Sequence, residues 1–150
     1  MHSARYVCFL KRRPLSRLAF YNSSSYKHRR TMEAAFKEHG VVPDVIPIAP
    51  TSTLRIKFAG GVEVDRGNIL KPVQVVKEPE EIEWEASAGS LYTLIMADPD
   101  APSRAKPERE PCHWLFINIP GCRVHEGDVL GAYFGSGAPE GSGLHRYVFL

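Results

Sequence analysis

The chain has few means of cross-linking itself. Its three cysteines, Cys8, Cys112 and Cys122, are an odd number without metal-ligand spacing, which argues against a disulfide framework or a zinc site and for a reducing compartment. Cys112 and Cys122 read as small core residues rather than reactive thiols. Long apolar runs are missing too. Stretches such as Trp114 to Ile117 are a strand's length, far short of the roughly 20 apolar residues a membrane-spanning helix needs, so no transmembrane segment is expected. Gly135-Ser136-Gly137 lacks the following Gly-Lys-Ser or Gly-Lys-Thr of a nucleotide-binding loop, and no nucleophile-elbow pattern surrounds Ser103 or Ser136. There is no internal repeat, and 150 residues suit one domain.

Acids are absent from residues 1–31, which hold eight Lys or Arg; the remainder carries 11 basic and 17 acidic residues, a net of −6 hidden beneath the overall +2. An acidic body gives no support to nucleic-acid binding. The Arg- and Ser-rich leader, with apolar residues interleaved from Tyr6 to Tyr21, has the composition of a mitochondrial presequence. It does not suit a secretory signal, because Lys11, Arg12 and Arg13 break its apolar region. It reads alternatively as an upstream extension before a start at Met32. In either case residues 1–31 are expected to be poorly ordered and residues 32–150 to form the domain. The expected home is the cytoplasm, or the mitochondrion if the leader acts as a presequence.

Strands dominate what is present. Thr31 is placed to cap a short helix that Gly40 ends. Leu54, Ile56 and Phe58 alternate with polar residues, and Gly60-Gly61 then turns the chain into Val62-Glu63-Val64, a hairpin pattern. Ile82-Glu83-Trp84, Leu91 to Ala97, His113 to Ile119 and His145 to Leu150 supply further strands, with Asn118-Ile119-Pro120-Gly121 as a turn. Many short strands with little helix predict a mainly β sandwich or barrel. Because Leu150 lies inside an apolar run, the last strand is expected to lack covering neighbours.

The polar residues with specific chemistry fall at strand ends. Pro99 and Pro102 bias Asp98 and Ala101 toward extended backbone, so Asp98 and Asp100 are expected to project to one side; the alternative is a plain turn whose carboxylates bond nearby N–H groups. His113 and His145 open strands, and period two puts His145 and Tyr147 on one face with Arg146 on the other. A joint cluster explains two acids and two histidines economically. In it Asp98 and Asp100 accept hydrogen bonds from the two imidazoles, Gly135 and Gly137 offer backbone N–H groups to an oxyanion, and a leftover carboxylate receives the ammonium of a zwitterion. A phosphate-containing or zwitterionic ligand such as an ethanolamine phosphate headgroup fits that description.

These residues resemble the phosphatidylethanolamine-binding protein family, which includes the Raf kinase inhibitor proteins and the plant flowering-time regulators. The likeness rests on Leu91 to Arg104, Cys112-His113-Trp114, Asn118-Ile119-Pro120-Gly121, Gly135-Ser136-Gly137 and Gly141 to Tyr147, and runs from about Met32 to the end. It implies a β-sandwich with a short N-terminal helix and a pocket for phosphate, acetate or a phospholipid headgroup. The positions carried over are Asp98, Asp100, His113, Gly135, Gly137, His145 and Tyr147, with Ala101-Pro102 as a cis peptide. The family continues past the equivalent of Leu150, so the chain reads as a truncated domain lacking the C-terminal elements. Arg109 or Glu110 stands where a pocket tyrosine is often found, and that contact is not assigned. The implied function is non-enzymatic binding by a monomer, with no cofactor, catalytic residue or metal ligand, and a role in modulating a kinase pathway by analogy. The alternatives are an inhibitor of a serine protease or kinase acting through its surface, and a metal-assisted hydrolase built on Asp98, Asp100, His113 and His145.

Overall fold

The computed structural model describes residues 4–8 and 32–150. In chain order, β1 (Ala4–Cys8) precedes a helix over residues 32–38 (α1) and a kinked helical turn, α2 (Val41–Asp44). The hairpin strands β2 (Arg55–Phe58) and β3 (Val62–Glu63) follow, then β4 (Ile69–Leu70), β5 (Glu81–Glu83) and β6 (Leu91–Ala97). The remainder is β7 (Ala101–Ser103), β8 (Lys106–Arg109), β9 (Cys112–Pro120), β10 (Asp128–Gly131) and β11 (His145–Phe149). No helix among the described residues is long and apolar enough to cross a membrane.

One sheet runs β10-β9-β6-β11-β1-β4, a second β3-β2-β5, and β7-β8 make a separate ribbon. The first two pack face to face as a sandwich. Leu54, just before β2, and Ile56 and Phe58 from the smaller sheet meet Leu94, Met96, Trp114, Phe116, Tyr147 and Phe149 from the larger, each large side chain contributing about 1.5–3 kcal/mol by leaving water. The opposite face of β11 is covered as well: Val148 packs with Met32, Ala35, Phe36 and Val41 of the helical segment. All five residues of β11 are therefore buried. A strand covered on both faces needs an unbroken apolar run, which is why period two fades toward Leu150.

Three expectations are corrected here. The last strand is not uncovered: β11 lies inside the sheet between β6 and β1, and Leu150 exchanges both backbone hydrogen bonds with Ile95 at 2.9 and 3.0 Å. Cys112 and Cys122 are exposed rather than core residues, since one begins β9 and the other sits in the turn beyond it. Within the leader, Ala4–Cys8 is a strand, paired parallel to β11 and antiparallel to β4; its backbone satisfies the edge of β11 facing away from β6, which composition does not reveal. The rest of the leader, including the expected cap Thr31, lies outside the described residues.

Candidate functional site

The β6–β11 register sets Ala97 opposite Val148, so the chain leaving β6 passes alongside His145 and Arg146. That chain is not extended, because Pro99 and Asp100 form a turn. Asp98, 2% exposed, uses one carboxylate oxygen to accept the Asp100 N–H at 2.8 Å, the side-chain-to-backbone closure two residues on that favours Asp at turn starts. Its other oxygen accepts the His145 Nδ1–H, also at 2.8 Å. Turn and site are thus the same carboxylate.

The turn separates the two acids. Asp100, fully buried, faces Arg146 on the other side of β11 and accepts from its Nη2 at 2.7 Å, its Nε at 2.9 Å and its backbone N–H at 2.8 Å. Arg146 Nη1 then donates to the Gly40 carbonyl at 2.6 Å and to Asp44 at 3.0 Å. Burial works against this guanidinium, yet its bonds to Asp100 and Asp44 hold its pKa above the ordinary value. The expected pairing of both acids with both histidines is therefore corrected. Asp100 anchors the helical segment to the sheet, and no carboxylate among Asp98 and Asp100 is left over for an ammonium group.

His113 finds its partner elsewhere. Its Nδ1–H donates to the Phe134 carbonyl at 2.9 Å, while the Phe134 N–H donates back to the His113 carbonyl at 2.8 Å. The ring stands edge-on to Tyr147 at 5.0 Å and tilted against Phe134 at 5.6 Å. Tyr147 is fully buried, with its hydroxyl against Asp98 and the N–H groups of Gly137 and Ala138; burial foremost, and the Asp98 charge after it, push the phenol above its usual range. Gly137 thus joins the cluster. Gly135 serves it less directly, since a Cβ there would lie 2.8 Å from the Val75 carbonyl oxygen, and its bare backbone lets the loop close on that segment.

Ser142 escaped the sequence reading, because nothing in its neighbours marks it. Its Oγ lies 2.9 Å from His145 Nε2, so that Ser142, His145 and Asp98 stand in hydrolase-like order. The hydroxyl proton, however, is donated to the Pro139 carbonyl at 2.6 Å. The Ser142 oxygen and the Asp98 carboxylate thus hold the His145 ring from its two nitrogens. The serine hydroxyl sits between the imidazole and the Pro139 carbonyl. Of the residues the metal-assisted alternative names, Asp100 turns away toward Arg146, and among the described residues no group of three or more His, Cys, Asp or Glu is placed to hold a metal ion.

Comparison with known proteins agrees with this architecture. A family model described as phosphatidylethanolamine-binding protein matches residues 47–150. A 26 kDa secreted antigen of Toxocara canis is 42% identical over 77% of this chain and 44% of its own length. A candidate odorant-binding protein, A5, of Drosophila melanogaster is 36% identical over 76% of this chain and 54% of its own. The chain spans about half the length of these curated relatives. A crystal structure of a phosphatidylethanolamine-binding protein from Plasmodium falciparum superposes with a TM-score of 0.70 at 30% identity, covering 77% of this chain and 67% of that one. A Plasmodium vivax protein of the same description gives 0.65 at 31%, covering 77% and 66%. The expected cytoplasmic home is overturned by these relatives, the first of which is described as secreted.

Proposed function

Because the chain belongs to the phosphatidylethanolamine-binding protein family, we propose that it is a non-enzymatic, extracellular binding protein that captures a phosphate-bearing headgroup at the Asp98–His145–Tyr147–His113 face. The observation that carries this reading is that both Asp98 carboxylate oxygens are engaged, one by the Asp100 N–H and the other by His145 Nδ1, so an incoming oxyanion meets no free carboxylate oxygen. It meets instead the N–H groups of Gly137 and Ala138 beside Tyr147, the kind of backbone concavity that receives anions. His113 Nε2 is a further polar atom of that face, held in orientation by the Phe134 carbonyl. The secreted relative supports the extracellular setting.

Titration with inorganic phosphate and with O-phosphoethanolamine, followed by NMR of the histidine rings, tests the reading. Saturable shifts of the His113 and His145 rings are expected, with at least a tenfold weaker midpoint in His113→Ala. Rings unaltered at saturating ligand reject it.

A further inference from the structure

The headgroup reading leaves the cysteines unused, and the structure treats the two exposed free thiols differently. Cys112 Sγ donates to the Trp114 carbonyl at 3.4 Å, a bond that needs the proton on sulfur. Cys122 instead lines a hollow of about 260 Å³ between the start of β5 and the 3₁₀ turn Val124–Glu126. Its backbone is fixed from both sides. Gly121, with a φ of 65°, turns the chain out of β9, and Val124, 4% exposed, returns it to the core. The Gly121 N–H donates to the Ser90 carbonyl at 3.1 Å, and the Val124 N–H donates to the Cys122 carbonyl at 3.1 Å. A rigid turn thus presents the thiol to solvent beside a cavity.

Pro79, Ile82 and Val124 give this hollow its apolar lining, and Glu80, Arg123 and Glu126 its charge. Arg123 Nε donates to Glu126 at 2.7 Å, while its two Nη groups make no hydrogen bond among the described residues. Cys122 lies within electrostatic reach of the same guanidinium. The attacking form of a cysteine is the thiolate, and here it would develop beside positive charge. Geometry also separates two occupants. A disulfide between two copies brings the Cys122 Cα atoms within about 7 Å, which sets Glu80 and Glu126 of one hollow against the same carboxylates of the other, a like-charge contact. A small molecule meets no such contact, and a hollow just under the roughly 300 Å³ at which ligand pockets begin seats one arm of it.

We propose that Cys122 is a covalent capping site for a small carboxylate-bearing disulfide of the glutathione class, one arm lying in the hollow and its carboxylate meeting the Arg123 Nη groups. The Cys122 thiolate attacks one sulfur of that disulfide. The original S–S bond breaks, a new one to Cys122 forms, and the departing thiolate takes up a proton equivalent to the one Cys122 released. The small disulfide is the oxidant, and one of its halves leaves reduced. An extracellular setting is where such disulfides persist; the proposal takes only that from the reading above, and the exchange itself is measured without it.

The full chain is incubated with glutathione disulfide, quenched in acid and scored cysteine by cysteine by peptide mass mapping, for the parent and for Arg123→Gln, in buffer and in urea. In buffer Cys122 is expected to be capped at least tenfold faster than Cys112, and in urea within threefold of it, because unfolding abolishes the hollow. Arg123→Gln should slow Cys122 at least threefold and leave Cys112 unchanged. Cationic cystamine should give a lower ratio of Cys122 to Cys112 capping than glutathione disulfide does. Equal capping of the two cysteines in buffer overturns the site. A preference that survives in urea overturns it as well, since local sequence then suffices. An unaltered rate in Arg123→Gln, or an equal ratio with cystamine, overturns the carboxylate contact. A Cys122-linked dimer formed in place of the adduct assigns the thiol to a second copy and overturns the small ligand. None of these outcomes bears on the phosphate titration, which judges the headgroup reading separately.

Discussion

At the scale of single residues, Asp98 and Asp100 divide function from stability although one residue separates them. The Asp100–Arg146 pair is buried and bidentate, so removing one partner strands the other's charge, at a cost of about 3–5 kcal/mol. Arg146→Met is expected to lose that much in urea denaturation. Adding Asp100→Asn, which keeps an acceptor for the Arg146 N–H, should recover at least about 1 kcal/mol. The O-phosphoethanolamine midpoint should stay within twofold in Arg146→Met, because Arg146 lies behind the strand. Additive losses, or abolished binding, would contradict the division. Tyr147 gives a second residue-level prediction. Its phenol is pushed above the usual range in the fold by burial and then by Asp98, whereas the unfolded chain ionises near pH 10. The native state therefore holds this proton longer. Stability from this group is complete below about pH 10 and declines as pH rises beyond it. Urea midpoints measured from pH 9 to 11 should fall, and Tyr147→Phe should flatten the decline; equal slopes in both proteins would refute the linkage.

At the scale of elements, strands that bury one face or both were legible because their apolar residues leave a pattern. Leu54, Ile56 and Phe58 announce β2, Leu91 to Ala97 is β6 residue for residue, and period two correctly parts Tyr147 from Arg146. β7, β8 and β10 escaped because they bury little: Lys106–Arg109 is exposed throughout, and Val129 and Leu130 are exposed in β10. The site was legible by residue type and not by direction. Asp98, His113, His145, Tyr147 and Gly137 converge, but the turn at Pro99–Asp100 broke the extended geometry that would have kept both acids together. Ser142 and the Phe134 carbonyl left no trace, since a serine between two glycines and a main-chain oxygen look the same wherever they occur. The loop bearing Gly137 depends on close approach at Gly135. Gly135→Ala would force a Cβ to 2.8 and 3.1 Å from the Val75 and Val76 carbonyl oxygens, an overpacking cost of about 1–3 kcal/mol. Weaker headgroup binding is expected alongside the lowered urea midpoint, as the Gly137 N–H is displaced. A variant with wild-type stability and binding would mean that the loop does not rest on that segment.

At the scale of the whole molecule, the large sheet joins segments from both ends of the chain. Among the described residues β1 connects β11 to β4, parallel on one side through Ala4 to Cys8 and antiparallel on the other through Ala4 and Arg5. Removing residues 1–31 would therefore detach β4 from the sheet and open the edge of β11, the strand that carries His145 and Tyr147. An uncovered edge invites pairing with another chain, and losing the backbone bonds of a five-residue strand weakens the sheet beside the site. A variant comprising residues 32–150 is expected to lose about 1–2 kcal/mol, seen as a Tm lower by about 5–10 °C, and to self-associate in light scattering as its concentration rises. Its His145 ring should also broaden in NMR, because the strand beneath the ring has lost a neighbour. If instead the shortened chain melts with the full one and scatters as a monomer, β11 needs no partner beyond β6, and the basic leader contributes nothing to the sheet that holds the site.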